Sequence, residues 1–478
     1  MKARLAVAAV VYAAIVLSMW LPYAAGSGMG YETHLVVRSE REPWWVGFFW
    51  TDDPLRLLAN SYWHISYLFS KLIGMDGGYL AFEICYAVLW WLSGIAVFLA
   101  VQKLLDFDPG PAYAAGAIAI SHSVDSMTGW AGQGQFLILQ ITFLAAVYLL
   151  AVAMEKGHEG AAWGASALCA ATLLQYESPL PLLVLAPVAM WVFRGWKNWR
   201  AAALWYAPIL VYVVITARRY IFLQAPVYQT AVVRQNWGWG ALLDWAWLTA
   251  SSLRVEWPES HWSLGAAAMA LFLLGVWKFR AVPRGPDWRA LAVAFACLTA
   301  AFPVILLLAD SRTVWRTMTF GAPWAAALLA GLAWKLGRFR WVAAGAIVFC
   351  GVCAAIPKTR GHREQWESHR APLAAILQAY PDVPDGTLIL LRNVPSNADP
   401  FADQQWFDSG IRLLYPRRRV AGYYVRGGAK FEGNAPGGAY WPLVTDRTAS
   451  HVLELEFPVR GSGAGTADPR AARRFFSH

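Results

Sequence analysis

Long apolar runs constrain this chain more than any other feature. Eleven of them, near residues 5–23, 79–102, 111–127, 134–154, 161–176, 178–193, 201–217, 263–277, 290–309, 318–334 and 341–357, approach the roughly 20 predominantly apolar residues that a helix needs to cross a bilayer. In hydrocarbon every backbone N–H and C=O must be satisfied inside the chain, so such runs fold as helices. The expected fold is an all-α polytopic membrane bundle of about 11 transmembrane helices. Composition agrees: 58% of the 478 residues are hydrophobic and 15% are charged, against about 25% charged in soluble domains. The first run follows Lys2 and Arg4 and has the outline of a signal peptide. Its length and the ten runs behind it predict an uncleaved anchor instead.

Residues 358–478 read differently, as an ordinary soluble segment. Thr387–Leu391, after the turn Asp385-Gly386, Arg419–Val425 and Val452–Phe457 read as strands, and Phe401–Leu414 reads as a helix. The domain organisation expected is a membrane domain over 1–357 with a loop at 24–78, a small C-terminal α/β domain over 358–460, and a disordered Gly/Ala/Arg-rich end at 461–478.

Lys and Arg set the orientation. With the N-terminus inside, the inside loops hold Lys103, Lys156, Arg194, Lys197, Arg200, Lys278, Arg280, Arg284, Arg289, Lys335, Arg338 and Arg340. This placement explains the net charge of +10 without a nucleic-acid partner. The segments 24–78, 128–133, 218–262, 310–317 and the α/β tail then face outside. Many of the 28 Trp stand at run ends, among them Trp20, Trp45, Trp50, Trp196, Trp199, Trp237, Trp239 and Trp288, where an apolar ring with a wet N–H suits a membrane–water boundary. All five Cys lie in apolar runs, which argues against a disulfide framework or a Cys zinc site.

The candidate chemistry lies in the outside segments. Asp52 and Asp53 sit side by side in Trp50-Thr51-Asp52-Asp53-Pro54-Leu55-Arg56. A carboxylate at the membrane surface suits a general base; Asp52 also suits the cap of a helix starting at Pro54. Residues 57–72 read as an amphipathic surface helix carrying His64, which is either a cleft residue or a packed histidine. His122 and Asp125 fall at the end of a span, where ionisable groups point to function or simply to water. Glu177 occupies the break Gln175-Tyr176-Glu177-Ser178-Pro179, as a second acid or a helix cap. Arg218, Arg219, Arg234, Arg312 and Arg316 run against the inside bias. Guanidinium groups bind phosphate in two-pronged fashion, so a lipid phosphate fits them; ordinary anionic lipid or a local pair such as Asp310 with Arg312 fits as well. No Walker A loop, dinucleotide fingerprint, zinc-protease motif or nucleophile elbow is present.

In order and spacing, these stretches resemble the GT-C superfamily of membrane glycosyltransferases, most closely the polyprenyl- or dolichyl-phosphate-mannose-dependent protein O-mannosyltransferase branch. The resemblance covers residues 1–335. It runs from Asp52-Asp53 through Arg56-Leu57-Leu58-Ala59-Asn60-Ser61 and His122-Ser123-Val124-Asp125 to Tyr176-Glu177-Ser178-Pro179 and Arg312–Pro323. It implies a GT-C-like fold and inverting transfer of a sugar from a polyprenyl-phosphate carrier to a glycan, lipid or protein acceptor at the outer face of the membrane; the compact loops and Ala/Arg/Trp-rich composition point to a bacterial inner membrane. Asp52 or Asp53 is then the base; His64, His122, Asp125 and Glu177 line the cleft; Arg218, Arg219, Arg312 and Arg316 hold the lipid phosphate. No cofactor is certain, and no ligand set decides whether a divalent metal takes part. A non-catalytic scaffold or a transporter in envelope polysaccharide assembly is the competing expectation.

Overall fold

The computed structural model describes residues 2–24, 36, 56–74, 79–122, 134–218, 238–280, 285–304, 306, 319–396, 400–401, 404–427 and 449–459. Each apolar run carries a helix. They are α1 (Lys2–Ala24), α3 (Tyr79–Leu105), α4 (Pro109–Ser121), α5 (Gly134–Lys156), α6 (Glu159–Gln175), α7 (Leu180–Arg194), α8 (Trp199–Ala217), α10 (Trp262–Val276), α11 (Trp288–Ala300), α12 (Ala322–Lys335) and α13 (Arg340–Ala379). Among the described residues two further helices, α2 (Ser61–Leu72) and α9 (Trp239–Ser252), lie between the runs. Five helices among the described residues, α1, α3, α5, α8 and α13, are long and apolar enough to cross a membrane. Helix length therefore does not establish eleven crossings: α7, α10 and α11 are apolar but shorter, and α4 ends at Ser121, short of the expected 127.

Local chemistry sets these boundaries. Pro109 opens α4, where a missing N–H costs nothing. His158, Asn198 and Asp287 cap α6, α8 and α11 by accepting from Ala161, Ala201 and Ala290 backbone N–H groups, replacing bonds the first turn lacks. Gly195 closes α7 at φ 68°, a left-handed geometry that suits a residue without Cβ. Large apolar side chains face outward along the bundle, including Val192, Leu210 and Leu274, and exposed Trp199, Trp239, Trp262, Trp277 and Trp288 sit at helix starts or ends. That is the arrangement expected of lipid-facing helices with an aromatic belt.

Buried aromatics and small residues fill the interior. The Tyr12 and Tyr113 rings stack at 5.8 Å, and Tyr113 stacks on Phe272 and Phe279 at 5.1 and 4.3 Å. Both phenols donate to backbone carbonyls, Tyr12 to Tyr113 and Tyr113 to Phe272. This joins α1, α4 and α10 and spares buried hydroxyls the cost of going unsatisfied. Gly94 of α3 faces Gly116 of α4, and a Cβ on Gly94 would stand 2.7 Å from Ile120 Cγ2. Such small-residue contacts let membrane helices approach closely.

α13 runs for 40 residues, so it carries the chain through position 358 without a break. The tail then forms β1 (Thr387–Val394), α14 (Gln404–Leu414), β2 (Val420–Arg426) and β3 (His451–Glu456), close to the four elements expected. The sheet order is β2-β1-β3 and both pairings are parallel. Central β1 is buried along Leu388-Ile389-Leu390-Leu391, the continuous apolar run typical of a parallel strand covered on both faces. Asp408 of α14 accepts from the Gly422 N–H at 2.9 Å and pairs with Arg412 at 2.8 Å. Rings join tail to bundle: Tyr79 meets Trp366 at 4.7 Å, and His369 meets Phe401 and Trp406.

Candidate functional site

Polar residues gather where α4 and α6 finish and α5 and α7 begin. Arg56 ends the Asp52-Asp53-Pro54-Leu55-Arg56 stretch and opens a turn that leads into α2. The Leu58 N–H donates to the Leu174 carbonyl at 2.9 Å, fixing this turn to the end of α6. Arg56 Nε donates to Glu177 Oε2 at 3.0 Å, and Arg56 Nη2 donates to Glu177 Oε1. The guanidinium also lies over the Tyr176 ring, 4.1 Å from its centre. Both charged side chains are half-buried, where a two-pronged ion pair is stronger than in open water. Glu177 is thus a partner of Arg56 and not a side-chain cap of α7; its backbone carbonyl accepts from the Leu180 N–H.

The same cluster extends through aromatics. Phe136 of α5 meets Tyr176 edge-on at 5.7 Å. Trp63 Nε1 donates to Gln135 Oε1 at 3.4 Å. α2 packs Tyr62, Trp63, His64 and Tyr67 inward and leaves Ile65, Leu68 and Leu72 exposed. An apolar outer stripe on a short helix is what the membrane interface accommodates. His64 is therefore a packed histidine; burial, and after it Lys71, hold its imidazole below its ordinary range. Tyr62 is pushed well above the ordinary phenol range by burial and then by Glu83. Glu83 is itself buried and accepts from Trp20 Nε1 at 3.4 Å.

A second cluster surrounds His122. Its Nε2 lies 3.0 Å from the Ser252 carbonyl at the end of α9. Lys358 of α13 pairs with Glu256 at 3.2 Å. The α13 backbone passes so close that a Cβ on Gly351 would stand 2.5 Å from the Ser121 carbonyl. The end of α4, the end of α9 and the exit of α13 meet here.

Of the expected site residues, the structure brings Glu177 to Arg56, buries His64 and His122, and leaves Arg218 exposed at the end of α8. Asp52, Asp53, Asp125, Arg219, Arg234, Arg312 and Arg316 lie outside the described residues. Among the described residues no three His, Cys, Asp or Glu side chains gather to hold a metal ion. Sequence reasoning assigned no role to Glu83, although an ionisable residue five positions into a membrane run was a usable signal. The Glu256–Lys358 pair had none, because its partners lie 102 residues apart.

These features define a class: an α-helical integral membrane protein with polar groups gathered at one end and a parallel α/β tail. No protein-family model matches the chain, and no curated protein matches it. Among solved structures it is similar to ArnT from Cupriavidus metallidurans bound to undecaprenyl phosphate, with 14% identity and a TM-score of 0.38 over 86% of this chain and 89% of that one. ArnT from the same organism in the apo state gives 14% identity and a TM-score of 0.35 over 88% and 89%. At those scores the likeness assigns neither substrate nor activity.

Proposed function

We propose that this chain is a membrane glycosyltransferase that moves a sugar from a polyprenyl-phosphate carrier to an acceptor hydroxyl at the outer face of the membrane. The observation that carries the reading is the Arg56–Glu177 pair. It ties the segment next to Asp52 and Asp53 to the polar break at Glu177, two regions that the GT-C resemblance had linked only by order along the chain.

In the proposed reaction the acceptor oxygen attacks the anomeric carbon while the bond from that carbon to the phosphate oxygen breaks. The acceptor proton passes to Asp52 or Asp53, and the sugar inverts. Polyprenyl phosphate leaves with the bonding electron pair, and Arg218, Arg219, Arg312 and Arg316 offset the charge that develops on it. The protein O-mannosyl branch, the donor sugar and the acceptor belong to this proposal. No step is routed through a metal ion.

Asp52→Asn and Asp53→Asn, each expressed in cells lacking the native chain, test it by mass analysis of envelope glycans. One variant should abolish a modification while the protein still accumulates. Unchanged glycans in both variants defeat the reading and favour a scaffold.

A further inference from the structure

The end of the bundle opposite Arg56 and Glu177 holds a second site. An apolar groove is lined by Leu182, Leu185 and Val188 of α7 and by Val293 and Cys297 of α11. From Leu182 to Arg194 it follows α7 for about 18 Å at the helical rise, a little more than one leaflet of the roughly 30 Å hydrocarbon core. Groove-lining Leu185, Val188, Val192 and Phe193 are themselves exposed, so its side opens towards lipid.

At Arg194 the groove meets a polar cavity of about 370 Å³ lined by Asp106, Asp108, Asp287 and Arg289. Leu104, Leu105, Phe193, Arg194 and Val293 line both spaces, so the two are continuous. The charges in this mouth are unevenly used. Arg194 pairs with Asp106 at 2.9 Å, and Asp287 caps α11. Asp108 precedes α4 without a side-chain capping bond. Among the described residues the side chain of neither Asp108 nor Arg289 has an ion-pair or hydrogen-bond partner. One carboxylate and one guanidinium therefore remain available at the mouth of a groove one leaflet long.

We propose that this is a binding site for an aminophospholipid of the surrounding leaflet, with one acyl chain in the groove, the phosphate at Arg289 and the primary ammonium at Asp108. A headgroup carrying both charges satisfies both residues. An anionic headgroup leaves Asp108 opposed to it, and a trimethylated ammonium offers Asp108 no N–H. The site goes beyond the transferase reading and does not depend on it.

Native mass spectrometry of the full chain, titrated with phosphatidylethanolamine, phosphatidylglycerol or phosphatidylcholine of the same acyl composition, tests this. Phosphatidylethanolamine should bind tightest. Asp108→Asn and Arg289→Gln should each weaken it about tenfold, the effect of losing one charge-assisted hydrogen bond. Ala296 of α11 also lines the groove, so Ala296→Trp should weaken all three lipids by filling it, and thermal melting of each variant reports whether it folds. Equal binding of the three lipids, a preference for phosphatidylglycerol, or unchanged affinity in folded charge variants overturns the proposal.

Discussion

Arg56 and Glu177, 121 residues apart in the chain, form a two-pronged ion pair with the Arg56 guanidinium stacked on Tyr176. The pair fixes the start of the surface helix to the α6–α7 break. Removing Arg56 leaves the half-buried Glu177 carboxylate without this partner, and removing Glu177 takes a two-pronged acceptor from Arg56. Arg56→Gln and Glu177→Gln should each lower stability by about 1–3 kcal/mol. The double variant should lose less than the sum. A double-mutant cycle read by thermal melting in detergent checks this, and additive losses would show that the pair contributes nothing.

A consequence for catalysis follows under the proposed function. Glu177→Gln frees the turn that follows Asp52 and Asp53 without touching either carboxylate. Turnover by purified protein should fall at least about tenfold, because small misplacements of a base are costly. The readout is product formed per folded molecule; unchanged turnover would place the base beyond the reach of this anchor.

His64 gives the protein an acid sensitivity. Its folded-state value lies below its ordinary one, so the unfolded chain binds the proton more readily. The stability that a neutral His64 contributes is complete above about pH 6.5, its ordinary range, and is lost as pH falls through the lowered value. Melting midpoints from pH 7.5 down to pH 5 should fall more in the native protein than in His64→Gln. Identical falls would show that other groups carry the pH dependence.

Close helix contact at Gly94 and Gly116 cannot absorb a side chain. A Cβ on Gly116 would stand 2.8 Å from the Gly94 carbonyl, besides meeting the Tyr12 ring. Gly116→Val should cost about 1–3 kcal/mol or more, as overpacking does, and should reduce the folded yield judged by size-exclusion chromatography. Gly240→Ala, where no atom lies within 4 Å, is the matched control.

In the tail, Asp408 holds both the buried Arg412 and the Gly422 N–H. Asp408→Ala takes one carboxylate partner from the buried Arg412 and the acceptor from the Gly422 N–H together and should cost about 1–3 kcal/mol. Loss of protease resistance around α14 and β2 is the measurement, and full resistance would contradict the pairing.

The sequence by itself determined the helical elements, the outward placement of many Trp rings, and the strand–helix–strand pattern of the tail. These follow from local chemistry: apolar run length, capping residues at 158, 198 and 287, and short apolar strand runs set off by turn residues. It did not reveal α9, whose 14 residues fall short of a membrane run, nor the passage of α13 through position 358, because charged residues there read as a break. It offered two roles for Glu177, and only the tertiary structure supplied a third, the Arg56 partner. Ion pairs such as Arg56–Glu177 and Glu256–Lys358, and the meeting of Asp108 with Arg289 in one cavity, depend on which helix ends come together in space. Neither hydropathy nor periodicity carries that information, because both act along a single helix while packing acts between helices.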